Sequence, residues 1–320
     1  MTDSNSRDFL RFVVPAAALA AVMLGAAGGL AAPADSPAKK AAPAKAAPAP
    51  AKSAAPAKAA AGPTVKGTDV PIPDFSSENV AWVAINSDFT PVPGGPKPVG
   101  FDPKHPFVRN DQPGQATYRV ADLENPNLKP WVKEALTRAN AGVLSGKIGP
   151  TPRWSCLPGG VPGFSIFVVE PVFFIQGPKE VLLIYSGNHE VRHVYLNVPH
   201  SQSVKPSWYG ESVGHYEGDT LVVDTVGLST KAVIDNYHTP HTEKLHVTER
   251  YHLVNDGKTL EVNLKVEDQD AFYEPWEAVQ RYSMRPNSGP LPEQNCSENN
   301  GNIFNLEGYV PSPEADEPDF

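Results

Sequence analysis

LHVTERYHLVNDGKTLEVNLKVE, residues 245–267, is the stretch that decides the fold. Its midpoint is Asp256-Gly257, a strong signal for a two-residue hairpin turn. If that turn closes the loop, Leu253 faces Leu260, Tyr251 faces Val262, Glu249 faces Leu264, and Val247 faces Val266. This face is apolar except for Glu249. The opposite face pairs His252 with Glu261, Arg250 with Asn263, Thr248 with Lys265, and His246 with Glu267. A slip of one residue would send every apolar side chain to the wrong side, so the pattern specifies the register.

Further short β-rich segments surround the hairpin at 165–169, 172–176, 180–185, 190–197, 219–226 and 278–283. Turn signals such as Gly177-Pro178 and Gly218-Asp219 separate them. Many short strands without intervening helices predict a mainly β fold, an antiparallel barrel or sandwich. One helix is expected at about 127–145, capped by Asn127, with Pro130 in its first turn and Gly146 after its end. Its predicted apolar stripe is Leu128, Val132, Ala135, Ala139 and Val143. The Pro/Gly-rich stretch 68–120, with aromatics such as Trp82 and Phe101, reads as an extended segment lying over a single β-rich domain of about residues 66–310.

The front of the chain reads differently. Arg7 and Arg11 precede an apolar run from Phe12 to Ala32 that ends in small residues. This is the pattern of a signal peptide over residues 1–31, with an uncleaved N-terminal anchor as the alternative. Residues 32–65 repeat Ala, Pro and Lys, cannot bury a core, and read as a disordered tether. Residues 1–66 hold 8 basic and 3 acidic residues, while residues 67–320 hold 19 and 33, a net charge of -14. So acidic a body argues against nucleic acid, and any membrane contact is expected through the N-terminal segment alone. An acidic tail occupies 311–320. Cys156 and Cys296, the only cysteines, are expected to form a disulfide in the periplasm or outside the cell.

The blocks ADLENPNLKPWVKEAL (121–136), EPVFFIQGPKEVLLIYSGNHEVRHVYLNVPH (170–200), PSWYGESVGHYEGDTLVVDTVGL (206–228), HTEKLHVTERYHLV (241–254) and EDQDAFYEPW (267–276) resemble a widespread family of uncharacterised exported bacterial proteins. The resemblance covers about residues 70–305, and EGDTLVVDT and LHVTER are its most specific parts. It implies export and a β-rich body, and no reaction. Relatives carry Arg at the position of His193 and Gly-Arg before the position of His200, which argues against His193 as shared chemistry.

Glu249 is the most informative candidate. A carboxylate on an apolar strand face must be paired, protonated or set against a cavity. It is either a catalytic acid or base, or one half of a salt bridge to Arg281 or Arg192. Asp224 repeats the theme between Val222 and Val226. His241 and His246 are further catalytic candidates, although His246 is also the outward partner of Glu267. His200, His215, Arg250 and Tyr209 are candidate ligand-binding residues. No cofactor is implied. The histidines leave a divalent metal open, but their spacings match no metal motif, and His189 and His193 lie about 13 Å apart along one strand. Trp208, Tyr209, Tyr216 and Trp276 line either a pocket or the core. Phosphate-loop, GxSxG and HExxH motifs are absent.

Two functions follow. One is an exported small-ligand-binding β-barrel protein, extending to an acid/base enzyme (lyase, isomerase or hydrolase) with its site inside the barrel. The alternative is a non-enzymatic, envelope-tethered binding or structural module. The first takes a small molecule as partner, the second a component of the cell envelope. An inverted barrel, with His246 and Arg250 facing a polar lumen and Glu249 structural, is the competing register.

Overall fold

A computed structural model describes residues 72–76, 80–106, 119–145, 152, 156–168, 171–187, 190–289, 291 and 293. The expected signal (1–31), tether (32–65) and acidic tail (311–320) lie outside these residues, as do Cys296, His189 and Gly146.

The strands are β1 (Ala81–Ala84), β2 (Thr90–Pro91), β3 (Val172–Gln176), β4 (Glu180–Tyr185) and β5 (Glu190–Leu196), then β6 (Glu211–Glu217), β7 (Thr220–Val226), β8 (His246–Val254), β9 (Thr259–Glu267) and β10 (Trp276–Arg285). Each of β3 to β10 pairs with the next, and β1 pairs with both β3 and β10. The result is a closed barrel of nine strands, which decides between barrel and sandwich. Closure removes the unpaired edges that an open sheet would expose. β1 and β2 lie in succession along one edge of β10. Between them lie Asp88 and Phe89, and the Phe89 ring is buried against Trp276.

The β8–β9 hairpin has the register read from its sequence, from His246↔Glu267 to Val254↔Thr259. Lys258 N donates to Asn255 O at 3.2 Å across the turn. Asp256 (φ 54°) and Gly257 (φ 78°) are both left-handed, which a type I′ turn requires. Val247, Glu249 and Tyr251 are buried, and their neighbours on the other face are partly exposed. The apolar face is therefore inside, and the inverted register is ruled out.

Four expectations need correction. The sheet is mixed, because β5 and β6 run parallel; the connection across 197–210 is long enough to bring the chain back before β6 starts. Residues 163–166 form a 3-10 turn where a strand was expected to begin. β6 was not expected, since Gly214 and its charged residues hide the alternation. The helix, α1, spans Pro130–Leu144 with Lys129 at its N-cap. Asn127 does not cap it, because its side chain is used elsewhere. The buried face of α1 is Val132, Leu136, Asn140 and Val143, turned from the predicted alanines. Asn140 can be buried because its amide pairs with both backbone groups of Ala121, at 2.8 and 2.9 Å. Val132 and Leu136 join the same core cluster as the strands.

Candidate functional site

Successive residues on β7 and β8 point to opposite sides of the barrel wall. Inward, Val223 is paired with Glu249; outward, Asp224 is paired with Thr248. Each side carries its own charged network.

The inner network centres on Arg192 of β5 and Glu249, which are 1% and 0% exposed. The guanidinium is bidentate on the carboxylate: Nη1 donates to Oε1 at 3.1 Å and Nη2 donates to Oε2. Nη2 also donates to Thr225 Oγ1 at 2.9 Å, and Nε to Ser212 Oγ at 3.2 Å. The Tyr251 hydroxyl donates to Glu249 Oε1 at 2.8 Å. Burial works against the Arg192 charge, but Glu249 and Tyr251 outweigh it and raise its pKa. Burial, and then the Glu249 charge, hold the Tyr251 phenol well above its ordinary value. Around this network stand Leu183, Val194, Val223, Val262 and Leu264, all buried. The interior is thus filled, and Glu249 borders none of the pockets described below. Of the two partners expected for it, Arg192 is the one found, while Arg281 pairs with Glu261.

The outer network is a ladder of alternating charge. His200 Nε2 lies 2.7 Å from Asp224 Oδ1, and His246 Nε2 lies 2.7 Å from Asp224 Oδ2. Beyond them, His200 Nδ1 faces Glu211 Oε1 at 3.0 Å and His246 Nδ1 faces Glu267 Oε2 at 3.5 Å. Lys265 Nζ ends the row, 2.9 Å from Glu267. Three of the four ring nitrogens lie within hydrogen-bond distance of a carboxylate oxygen, to which each can donate when it carries the proton. His246 and then His200 hold the Asp224 carboxyl down at about 2. The bond to Asp224, opposed by partial burial, raises the His246 pKa. Three of the sequence candidates, His200, Asp224 and His246, are therefore brought together here, on the outside of the barrel and not with Glu249.

The remaining candidates are scattered. Glu217 bridges His215 (3.0 Å) and Arg250 (2.6 Å) on the outer face. The Tyr209 hydroxyl donates to Glu190, and its ring packs edge-on to Phe164. His241 is buried: Nδ1 lies 2.8 Å from the Thr242 carbonyl, and Nε2 has no partner. Burial depresses its pKa. Trp276 belongs to the core, and the Tyr216 hydroxyl accepts from Gln176 at 2.9 Å. Among the described residues no group of three or more His, Cys, Asp or Glu is placed to hold a metal ion.

Two pockets adjoin at the end of the barrel where β8 and β10 begin. The larger, of about 640 Å³, lies between the segment 95–101 and the turn ahead of β10. Phe89, Phe101, Tyr237 and Tyr273 give it aromatic walls. Two asparagines build it. Asn125 Nδ2 donates to the carbonyls of Lys97 and Pro98, at 3.1 and 3.2 Å. Asn127 Nδ2 donates to Glu274 O, and Asn127 Oδ1 accepts from Glu274 N, both at 2.9 Å. The smaller pocket, of about 360 Å³, includes His246, Glu267 and Phe272 and shares Tyr273 and Glu274 with the larger.

Sequence reasoning missed the large pocket. The signals were Asn125-Pro126-Asn127, where Pro126 keeps Asn125 out of a helix, and Tyr273-Glu274-Pro275, an exposed aromatic and an acid before a proline. No family model, curated protein or solved structure matches the chain.

Proposed function

We propose that this chain is an exported small-ligand-binding β-barrel protein whose binding site is the 640 Å³ pocket beside the barrel end, not the barrel interior. The contrast between that pocket and the filled interior carries the reading. Its volume lies within the range of small-molecule sites. Tyr273 is 58% exposed and Phe101 46% exposed, so aromatic surface stands open to a ligand. Export rests on the apolar run before residue 32, the tether and the cysteine pair. Cys156 is not a free thiol, which supports its pairing with Cys296.

The test is a fragment screen by amide chemical-shift mapping on the full chain, repeated with Phe101→Ala and Tyr273→Ala. Ligands should perturb residues 95–101 and 273–274, and each substitution should weaken binding by about fivefold or more. Ligands that map only elsewhere would sink the proposal.

A second reading, acid/base catalysis, is favoured by one observation. His246, held by Asp224, opens on the smaller pocket, which continues from the larger over Tyr273. It predicts that a ligand of the large pocket is turned over, and that His246→Asn abolishes turnover without weakening binding.

A further inference from the structure

The polar groups of the large pocket are unequal in kind. Its two asparagine side chains are spent on scaffolding. Asp88 pairs with Arg119. Four carboxylates line it, those of Asp88, Asp122, Glu124 and Glu274, against one ammonium, that of Lys97. Asp122 Oδ1 accepts from Glu124 N at 2.9 Å, while the Glu124 and Glu274 carboxylates make no hydrogen bond or ion pair among the described residues. The Tyr237 side chain, 1% exposed, forms part of the wall. Its hydroxyl lies near the Asp88 carboxylate without a well-formed hydrogen bond. Among the lining side chains, a ligand in this space therefore meets carboxylate acceptors and π faces, with Lys97 the one ammonium. The Tyr273 ring already takes a cation, with Lys129 Nζ 4.3 Å from its centroid.

From this pairing of π faces with unpaired carboxylates we infer that the pocket takes an organic cation: an ammonium group joined to an apolar body. The ammonium lies toward Glu124 and Glu274, and the body packs on Phe89 and Phe101. An anion would face uncompensated carboxylates, and a neutral ligand would leave them unneutralised. The acidic body of the domain adds a field that draws cations in. This inference rests on the pocket being the ligand site.

Three probes of one shape separate the two claims: phenethylammonium, 2-phenylethanol and phenylacetate, titrated calorimetrically into the full chain at low salt. The cation is expected to bind about tenfold more tightly than the alcohol, and phenylacetate least. The advantage should shrink at high salt and fall by about fivefold in Glu124→Gln/Glu274→Gln. Both residues are exposed, so this variant should melt like the parent. If the alcohol binds as tightly as the cation, and Tyr273→Ala weakens both, the pocket stands and the cation claim falls. Preference for phenylacetate, or no binding by any probe, also overturns the claim.

Discussion

Asp224 and Thr225 are neighbours on β7, yet they belong to networks of opposite character. Thr225 faces inward and helps fix Arg192 on Glu249, where no water reaches. Asp224 faces outward and joins His200 to His246 in a ladder about one-third open to solvent. The bonding partners are similar in kind, carboxylates with nitrogen cations; what differs is the medium. In the dry interior a charge without its partner carries a large desolvation cost. On the surface, water and salt replace much of what a partner provides. The inner pair should therefore govern folding, and the outer ladder should add a smaller contribution that depends on pH and salt.

The sharpest break of this comparison is Glu249→Gln. It keeps the shape of the side chain and leaves the buried Arg192 charge without a counter-charge. A loss of about 3–5 kcal/mol in urea unfolding is expected. Replacing both partners, Arg192→Met with Glu249→Leu, should recover part of that loss, because Ser212 and Thr225 still bond each other while the buried Tyr251 hydroxyl loses its acceptor. If Glu249→Gln folds with unchanged stability and loses ligand binding instead, the catalytic reading of Glu249 revives.

Much of this was legible in the sequence, because period-2 alternation and a demanding turn fix a strand register. Residues 245–267 specified which side chains share a face and identified Glu249 as a charge that needed a partner, but whether that face points inward was decided only by the burial of Val247, Glu249 and Tyr251. The partner itself was only narrowed to two arginines. Arg192 and Glu249 are 57 residues apart, and no local pattern encodes that meeting. The same limit applies outside the barrel. His200, Asp224 and His246 could each be named as candidates, but only strand order makes them one ladder. The pocket was hidden for another reason. Asn125 and Asn127 act by bonding backbone groups of distant loops, and a sequence reading assigns an Asn before a helical pattern to the cap.

A middle-sized effect tests whether the hairpin that sets both networks depends on its turn. Gly257 sits at φ 78°, and a Cβ added there would meet nothing within 4 Å. Gly257→Ala should therefore cost only the conformational strain of the left-handed region, about 1 kcal/mol. A loss of several kcal/mol would mean that the turn holds the register of Glu249, not merely the chain reversal.

The smallest effect belongs to the outer ladder, and its sign is the informative part. The folded Asp224 carboxyl sits at about 2 against an ordinary 3.8. Its stabilisation is present above 3.8 and is lost as pH falls toward 2. The His246 value is raised above its ordinary 6.5. Its stabilisation is full below 6.5 and is lost as pH rises through the raised value. The ladder should thus contribute most between about pH 4 and 6.5. Two other buried groups also contribute to the pH dependence: Asp235, raised to about 6 by desolvation, and His241, depressed by desolvation. A single stability profile mixes all four. Asp224→Asn removes the central carboxylate of the ladder and leaves Asp235 and His241 in place, so their contributions cancel in the difference between parent and variant. That difference should be a plateau of about 1 kcal/mol or less between pH 4 and 6.5, falling on both sides and flattened by 1 M salt. A difference that is independent of pH, or that persists undiminished in salt, would mean that Asp224 supports the fold as Glu249 does, and the distinction between the two faces of the wall would fail.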